Sequence, residues 1–243
     1  MKILLLLISL VAPDLVADTL PTATQSFQEG IQEYRAANFS EAAREFRESV
    51  GRHPTAGASL DLGNAEWQQG RVGPAILAWE QTLWLSPTDA QARNNLKYAR
   101  STAQIEAPEL AWYEVISTWT PSAWWAMLTA LCLWTLATLV AVPGIFRHRR
   151  TSRNQALAAI ALTLLLLSLP AHYGWYTRSK IGIVLDQNTP LRLTPTELAQ
   201  EVTRVGAGDP GRCERMLGNY CYVRFRTASG WIARDEFALI AQP

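Results

Sequence analysis

Histidine and cysteine are scarce in this chain, with three of each in 243 residues, and neither type is arranged for chemistry. His53, His148 and His172 fall in a repeat turn, a basic loop and the boundary of an apolar run, so they are not expected to meet around a metal or to supply a catalytic base. No Cys-x-x-Cys pair is present, which removes dithiol redox catalysis. A phosphate-binding glycine loop, a nucleophile elbow and zinc-ligand spacing are also lacking. The expectation is a protein that is not an enzyme and takes no cofactor or metal. Net charge is scarce too, at +1, and no basic stripe marks a nucleic-acid surface.

Charged side chains are missing altogether from residues 123–146, and none of Asp, Glu, Lys or Arg occurs in 154–176. Each run exceeds the roughly 20 residues of helix that cross a hydrocarbon core. Between them, 147–153 holds Arg147, Arg149, Arg150 and Arg153, whereas 101–122 carries only Glu106, Glu109 and Glu114. Arginine-rich short loops stay on the cytoplasmic side, which places both flanking regions outside the cytoplasm. Inside the runs the polar groups are hydroxyls and one thiol, chiefly Thr129, Cys132, Thr135, Thr138, Thr163 and Ser168. Transport pathways mark themselves with ionisable groups, so a channel or transporter is not expected. Trp112, Tyr113, Trp119, Trp124 and Trp125 gather at the outer end of the first run, and Tyr173, Trp175 and Tyr176 at that of the second. Amphipathic rings favour that depth and read as interfacial anchors.

Residues 1–17 have a single early cation, Lys2, a short apolar core and small residues at Ala12 and Ala17. That is the layout of a signal peptide, the alternative being a third membrane anchor. It agrees with the orientation set by the arginine loop: a bacterial inner-membrane protein with two spans and both terminal regions periplasmic.

Within a domain expected at 18–104, the chain repeats itself from about Thr24 to Gln104. Gly30 and Gly63, Tyr34 and Trp67, Ala42 and Ala75, Phe46 and Trp79, and Pro54 and Pro87 all stand 33 residues apart. Such a period marks stacked supersecondary units. Small residues let two helices approach, an aromatic fills the remaining space, and the prolines end the second helix. Ser40 is the expected N-cap of the first unit's second helix. The units are expected at about 24–56 and 57–89, with a closing helix over 89–104. These residues resemble the tetratricopeptide repeat, most clearly through 62–65, Gly70, 75–76, 79–80 and 85–87. The first unit departs from the pattern at Glu29 and Ala37. About three such units are needed for independent stability, so a protein partner or a second copy of the chain is expected.

The resemblance implies binding along the inner face of each first helix. One period on, Leu60 and Asn64 map to Arg93 and Lys97, and with Trp67 these are the candidate partner-binding residues. An amide and two cations resemble the carboxylate clamp of some repeats of this kind, through charge-assisted hydrogen bonds. The other reading is a solvated charge pair and a packing amide, and the first unit has Phe27 and Ile31 at the equivalent places.

After a juxtamembrane segment at 105–122 and the two spans, residues 180–243 change texture. Short β-rich runs at 181–185, 190–193, 201–205, 220–225, 230–233 and 237–240 alternate with Gly, Pro and Asp, the pattern of a small β-barrel. The pieces 190–195, 205–206, 222–224 and 230–232 resemble a bacterial SH3-like domain. Cys213 and Cys221 lie here, and a three-residue turn at 216–218 would set them across a hairpin. An oxidising compartment then allows a disulfide, the alternative being two reduced thiols.

The fold class expected is therefore a multidomain membrane protein: an α-helical repeat array, a two-helix transmembrane hairpin and a C-terminal SH3-like barrel. This order of parts resembles the E component of the Bacteroides aerotolerance (Bat) operons. The resemblance implies an envelope scaffold linked to stress tolerance. The partners it implies are the membrane-bound Bat proteins with von Willebrand A domains and, indirectly, a MoxR-type ATPase in the cytoplasm. A sensor or peptidoglycan-binding protein acting through the SH3-like domain is the alternative.

Overall fold

The computed structural model describes residues 19–146 and 151–241. The signal peptide expected at 1–17 and most of the arginine loop, 147–150, lie outside the described residues. Among the described residues eight helices come first: α1 (Thr19–Arg35), α2 (Phe39–Arg52), α3 (Ala56–Gln68), α4 (Val72–Leu85), α5 (Ala90–Ala103), α6 (Trp112–Ser117), α7 (Ser122–Phe146) and α8 (Ser152–Arg178). Seven strands follow: β1 (Ile181–Val184), β2 (Thr189–Arg192), β3 (Glu201–Val205), β4 (Pro210–Leu217), β5 (Tyr220–Arg224), β6 (Ser229–Ala233) and β7 (Phe237–Leu239).

The 33-residue period is visible in the helix boundaries. The end of α1 recurs at the end of α3, the start of α2 at the start of α4, and the end of α2 at the end of α4. Packing repeats with them. A Cβ on Gly30 would lie 2.7 Å from the Phe46 ring, and one on Gly63 would lie 2.5 Å from Trp79 Nε1. Both turns need a left-handed residue: Gly70 has φ 74°, and Ala37, one period earlier, has φ 62°. Ala37 therefore keeps the turn at a cost of about 1–2 kcal/mol, which glycine would avoid. Ser40 is not the N-cap of α2. Asn38 occupies that place without a side-chain cap, its amide donating instead to Glu33 Oε2 at 2.8 Å. Side-chain caps do start α3, where Thr55 Oγ1 accepts from the Ala58 N–H, and α5, where Asp89 Oδ1 accepts from that of Ala92.

All strand pairings in the sheet are antiparallel, in the order β3-β2-β6-β5-β4-β1-β7. It is not the closed barrel expected from the sequence, because β3 and β7 end the order without pairing each other. Physical reasons stand at both edges. β3 departs from regular register opposite Leu191 and Arg192 and exposes Glu201, Val202, Thr203 and Arg204, while β7 has only three residues. A bulged, charged, exposed edge resists further strand addition. The strand missing from the sequence reading is β4, whose Pro-Gly-Arg-Cys-Glu-Arg run lacks β-forming residues and is held by β1 on one side and β5 on the other. Its turn into β5 is tighter than expected: Leu217 pairs with Tyr220, leaving Gly218, at φ 56°, and Asn219 between them.

α7 and α8 pack on each other and are long and apolar enough to cross a membrane. Their large apolar side chains turn outward, as at Leu131 and Trp134.

Array and sheet are not separate bodies. Leu60, Ala75, Ile76, Trp79, Ala92, Leu96 and Ala99 from the helices bury against Ile181, Ile183 and Ile240 from the sheet region in one cluster. Burying each isoleucine contributes about 2 kcal/mol. At Gly73, in the first turn of α4, a Cβ would stand 2.3 Å from the Leu185 carbonyl oxygen and 2.6 Å from that of Val184. Backbone cannot withdraw as a flexible side chain can. Gly73→Ala is therefore expected to cost about 1–3 kcal/mol by overpacking. A single cooperative urea transition should move to lower denaturant; an unshifted midpoint would show that helices and sheet do not share this core.

Candidate functional site

The five residues singled out for partner binding separate into two groups. Leu60 is buried in the shared core. Asn64 Oδ1 accepts from Trp79 Nε1 at 3.2 Å and from Asn95 Nδ2 at 2.8 Å, and the same side chain is hydrogen-bonded to Asp61. Trp67 packs between Trp79 and Tyr98, with ring centroids 5.9 and 6.0 Å away. Burial pushes the Asp61 carboxyl up, and the Asn64 bond partly offsets this. These groups knit α3, α4 and α5 together.

Arg93 and Lys97 are exposed on α5. Arg93 Nη2 donates to the Thr88 carbonyl at 3.0 Å. With Arg100 the two cations rim a shallow depression floored by Leu83, Leu96 and Ile105. Leu60, Asn64 and Trp67 are not part of its lining. Arg100 also pairs with Glu80 on α4 and keeps a buried Nε without a hydrogen-bond partner. The depression can receive an anionic group attached to an apolar one, which is the chemistry of an acidic peptide segment.

A second recess lies in the sheet region, lined by Arg192, Glu197, Tyr220, Arg234, Asp235 and Glu236. Burial pushes the Glu236 carboxyl up, against the pull of Arg192, and one of its oxygens is buried without a hydrogen-bond partner. Cys213 and Cys221 are joined by a disulfide with Cα atoms 6.1 Å apart, stapling β4 to β5. Between α7 and α8, Thr129 Oγ1 lies 3.2 Å from Ser168 Oγ and 2.7 Å from His172 Nε2. His172 is thus an inward-facing partner of α7 as well as a boundary residue. Its spacing from Ser168, four residues on, was the available signal.

The most heavily bonded group in this region is one the sequence did not single out. Glu114 on α6 is only 1% exposed. Arg212 of β4 donates from Nη1 to Glu114 Oε1 at 2.7 Å and from Nη2 to Oε2 at 3.1 Å, and the Ala111 N–H donates to Oε2 at 2.8 Å. Arg212 Nη1 also reaches the Thr177 carbonyl on α8 at 3.0 Å. Beside this pair Arg178, at the end of α8, is 4% exposed and donates to Ser117 Oγ at 3.2 Å. Its guanidinium carbon lies 5.3 Å from the centroid of the Trp84 ring and 5.7 Å from that of Trp175. The two indoles meet edge-on at 4.0 Å. Here α4, α6, α8 and β4 are joined.

No protein-family model matches the chain, and no curated protein matches it significantly.

Burial would raise the Glu114 carboxyl, but the bonds from Arg212, Thr177 and Ala111 outweigh it and hold it below the ordinary glutamate value. A depressed folded pKa gives stability that is present above the unfolded value, about 4.3, and lost as pH falls through the lower folded value. Glu114→Ala leaves Arg212 without its carboxylate and is expected to cost about 3 kcal/mol. In denaturation from pH 7 downward, the wild type should lose this increment below about pH 4 and converge towards the variant. A constant difference across the acid range would overturn the assignment.

Proposed function

We propose that this chain is a non-enzymatic scaffold of the bacterial inner membrane, anchored by α7 and α8 and presenting its helical array and sheet in the periplasm. The observation that carries this reading is the recurrence, at 33 residues, of helix boundaries and of the glycine–aromatic contacts Gly30–Phe46 and Gly63–Trp79. That pairing supports tetratricopeptide repeats, which are protein-binding elements. The seven short antiparallel strands are compatible with an SH3-like module whose β3 edge is open. The order of parts favours the E component of a Bacteroides aerotolerance complex. Its partners are then membrane-bound von Willebrand A domain proteins and, indirectly, a MoxR-type ATPase. The partner contact falls on the depression rimmed by Arg93, Lys97 and Arg100, which suits an acidic, partly apolar segment. Reversing two of these charges with Arg93→Glu and Lys97→Glu should reduce capture of membrane partners at least tenfold in crosslinking, since each charge-assisted bond contributes about 1.5–3 kcal/mol. Undiminished capture by the folded variant would remove this surface from the proposal.

The recess beside Glu236 favours a second reading, a periplasmic sensor that holds cell-wall peptides. Its charges of both signs suit a ligand carrying an amine and a carboxylate. Co-sedimentation of the intact protein with sacculi, lost on Glu236→Gln, is the outcome this reading requires; sedimentation independent of Glu236 would exclude it.

A further inference from the structure

α6 is amphipathic in the reverse sense of a helix on a water-soluble surface. Its buried side chains are Glu114 and Ser117. Its outward arc is Trp112, Val115, Ile116 and, in the turn that follows, Trp119, spaced i, i+3, i+4, i+7 on one face. Trp112, Val115 and Trp119 are 67%, 43% and 63% exposed, while Ile116 is half-buried. A soluble surface keeps such a contiguous apolar arc covered.

The covering medium follows from where α6 lies. It packs along the last turns of α8, with Gly174 so close that a Cβ would stand 2.2 Å from the Tyr113 carbonyl oxygen. Tyr113 itself turns to Tyr173, centroids 5.0 Å apart, and so leaves the outward arc. α7 begins at Ser122, directly after this segment. The arc is thereby continuous with the outward apolar faces of α7 and α8, including Trp124, Met127, Tyr173 and Tyr176, which are exposed in the same way. At this level Lys180 Nζ sits 4.4 Å from the Tyr176 ring centroid, the pairing of a cation with an amphipathic ring that suits a headgroup layer.

We infer that the outward face of α6, formed by Trp112, Val115, Ile116 and Trp119, is a lipid-docking surface lying in the outer interface of the bilayer. It does more than mark where a span ends. The inward face of the same helix holds Glu114, which binds Arg212 of β4, so the helix is lipid-facing on one side and locked to the folded body on the other. Trp84, edge-on to Trp175, draws α4 to the same level. The array and sheet are therefore held at one fixed tilt on the membrane surface, with indole rings at the depth they favour. This inference rests on the reading that α7 and α8 cross a bilayer.

The test places a nitroxide on the full chain in phosphatidylcholine–phosphatidylglycerol nanodiscs, using Cys132→Ser to leave the Cys213–Cys221 bridge as the remaining sulfur pair. Labels go at Val115→Cys and Trp112→Cys on the arc, at Leu131→Cys within α7 and at Tyr98→Cys, exposed on the array. Collision with oxygen, enriched in lipid, is compared with collision with a water-soluble nickel chelate. The oxygen-to-nickel ratio at 115 and 112 should exceed that at 98 several-fold and approach that at 131. A nickel-dominated signal at 115 and 112 with an oxygen-dominated one at 131 would overturn the docking surface and leave the spans. Low collision with both reagents at 115 and 112 would overturn it in favour of protein covering the arc. Nickel dominance at 131 as well would remove both readings.

Discussion

A carboxylate withdrawn from water stays ionised only if other charges and dipoles replace its hydration, and Glu114 meets that demand with groups from separate parts of the chain. Arg212 supplies a two-pronged guanidinium from β4, Ala111 a backbone N–H from the start of α6, and Thr177 a further bond from α8. Withdrawing Arg212 would strand a buried charge at several kcal/mol. The geometry of the seam is accordingly over-determined. The second apolar helix passes into β1 across two residues, Ser179 and Lys180, with no flexible linker between them.

That seam alters how the array achieves stability. Two helical units and a closing helix leave one apolar side open, which is why a partner or a second copy was expected. Here the open side is met within the chain: Ile181, Ile183 and Ile240 bury against Leu60, Ile76 and Leu96, and Gly73 lets the β1 end approach α4 backbone to backbone. The sheet does for the array what a further repeat would do, and the stability argument for a second copy is answered internally. The cations Arg93 and Lys97 on α5 stay exposed, and the recess beside Glu236 stays open.

Tertiary packing also divides the aromatic residues that look alike in the sequence. Trp79 and Phe46 are helix-packing rings closed over glycines, and Trp84 and Trp175, edge-on to each other, both face the Arg178 guanidinium. Trp112, Trp119 and Trp124 face outward. Asn64 shows the same division among polar groups. Its spacing suggested a ligand clamp, but its amide is engaged by Trp79, Asn95 and Asp61. Spacing along a helix identifies which residues share a face; it does not report how many neighbours already use their hydrogen bonds.

Local periodicity alone carried the 33-residue helical units, the two long apolar helices and six of the seven strands. Their signals lie within a few residues of each element, in glycine and proline placement, apolar runs and alternating β-branched positions. Features that depend on distant partners emerged only on folding. β4 is a strand because β1 and β5 flank a run with no propensity of its own, and the sheet stays open because β3 and β7 do not meet. Glu114 and Arg212 stand 98 residues apart. No local pattern in either segment announces the other, because the energy that pairs them arises only when folding removes both from water together.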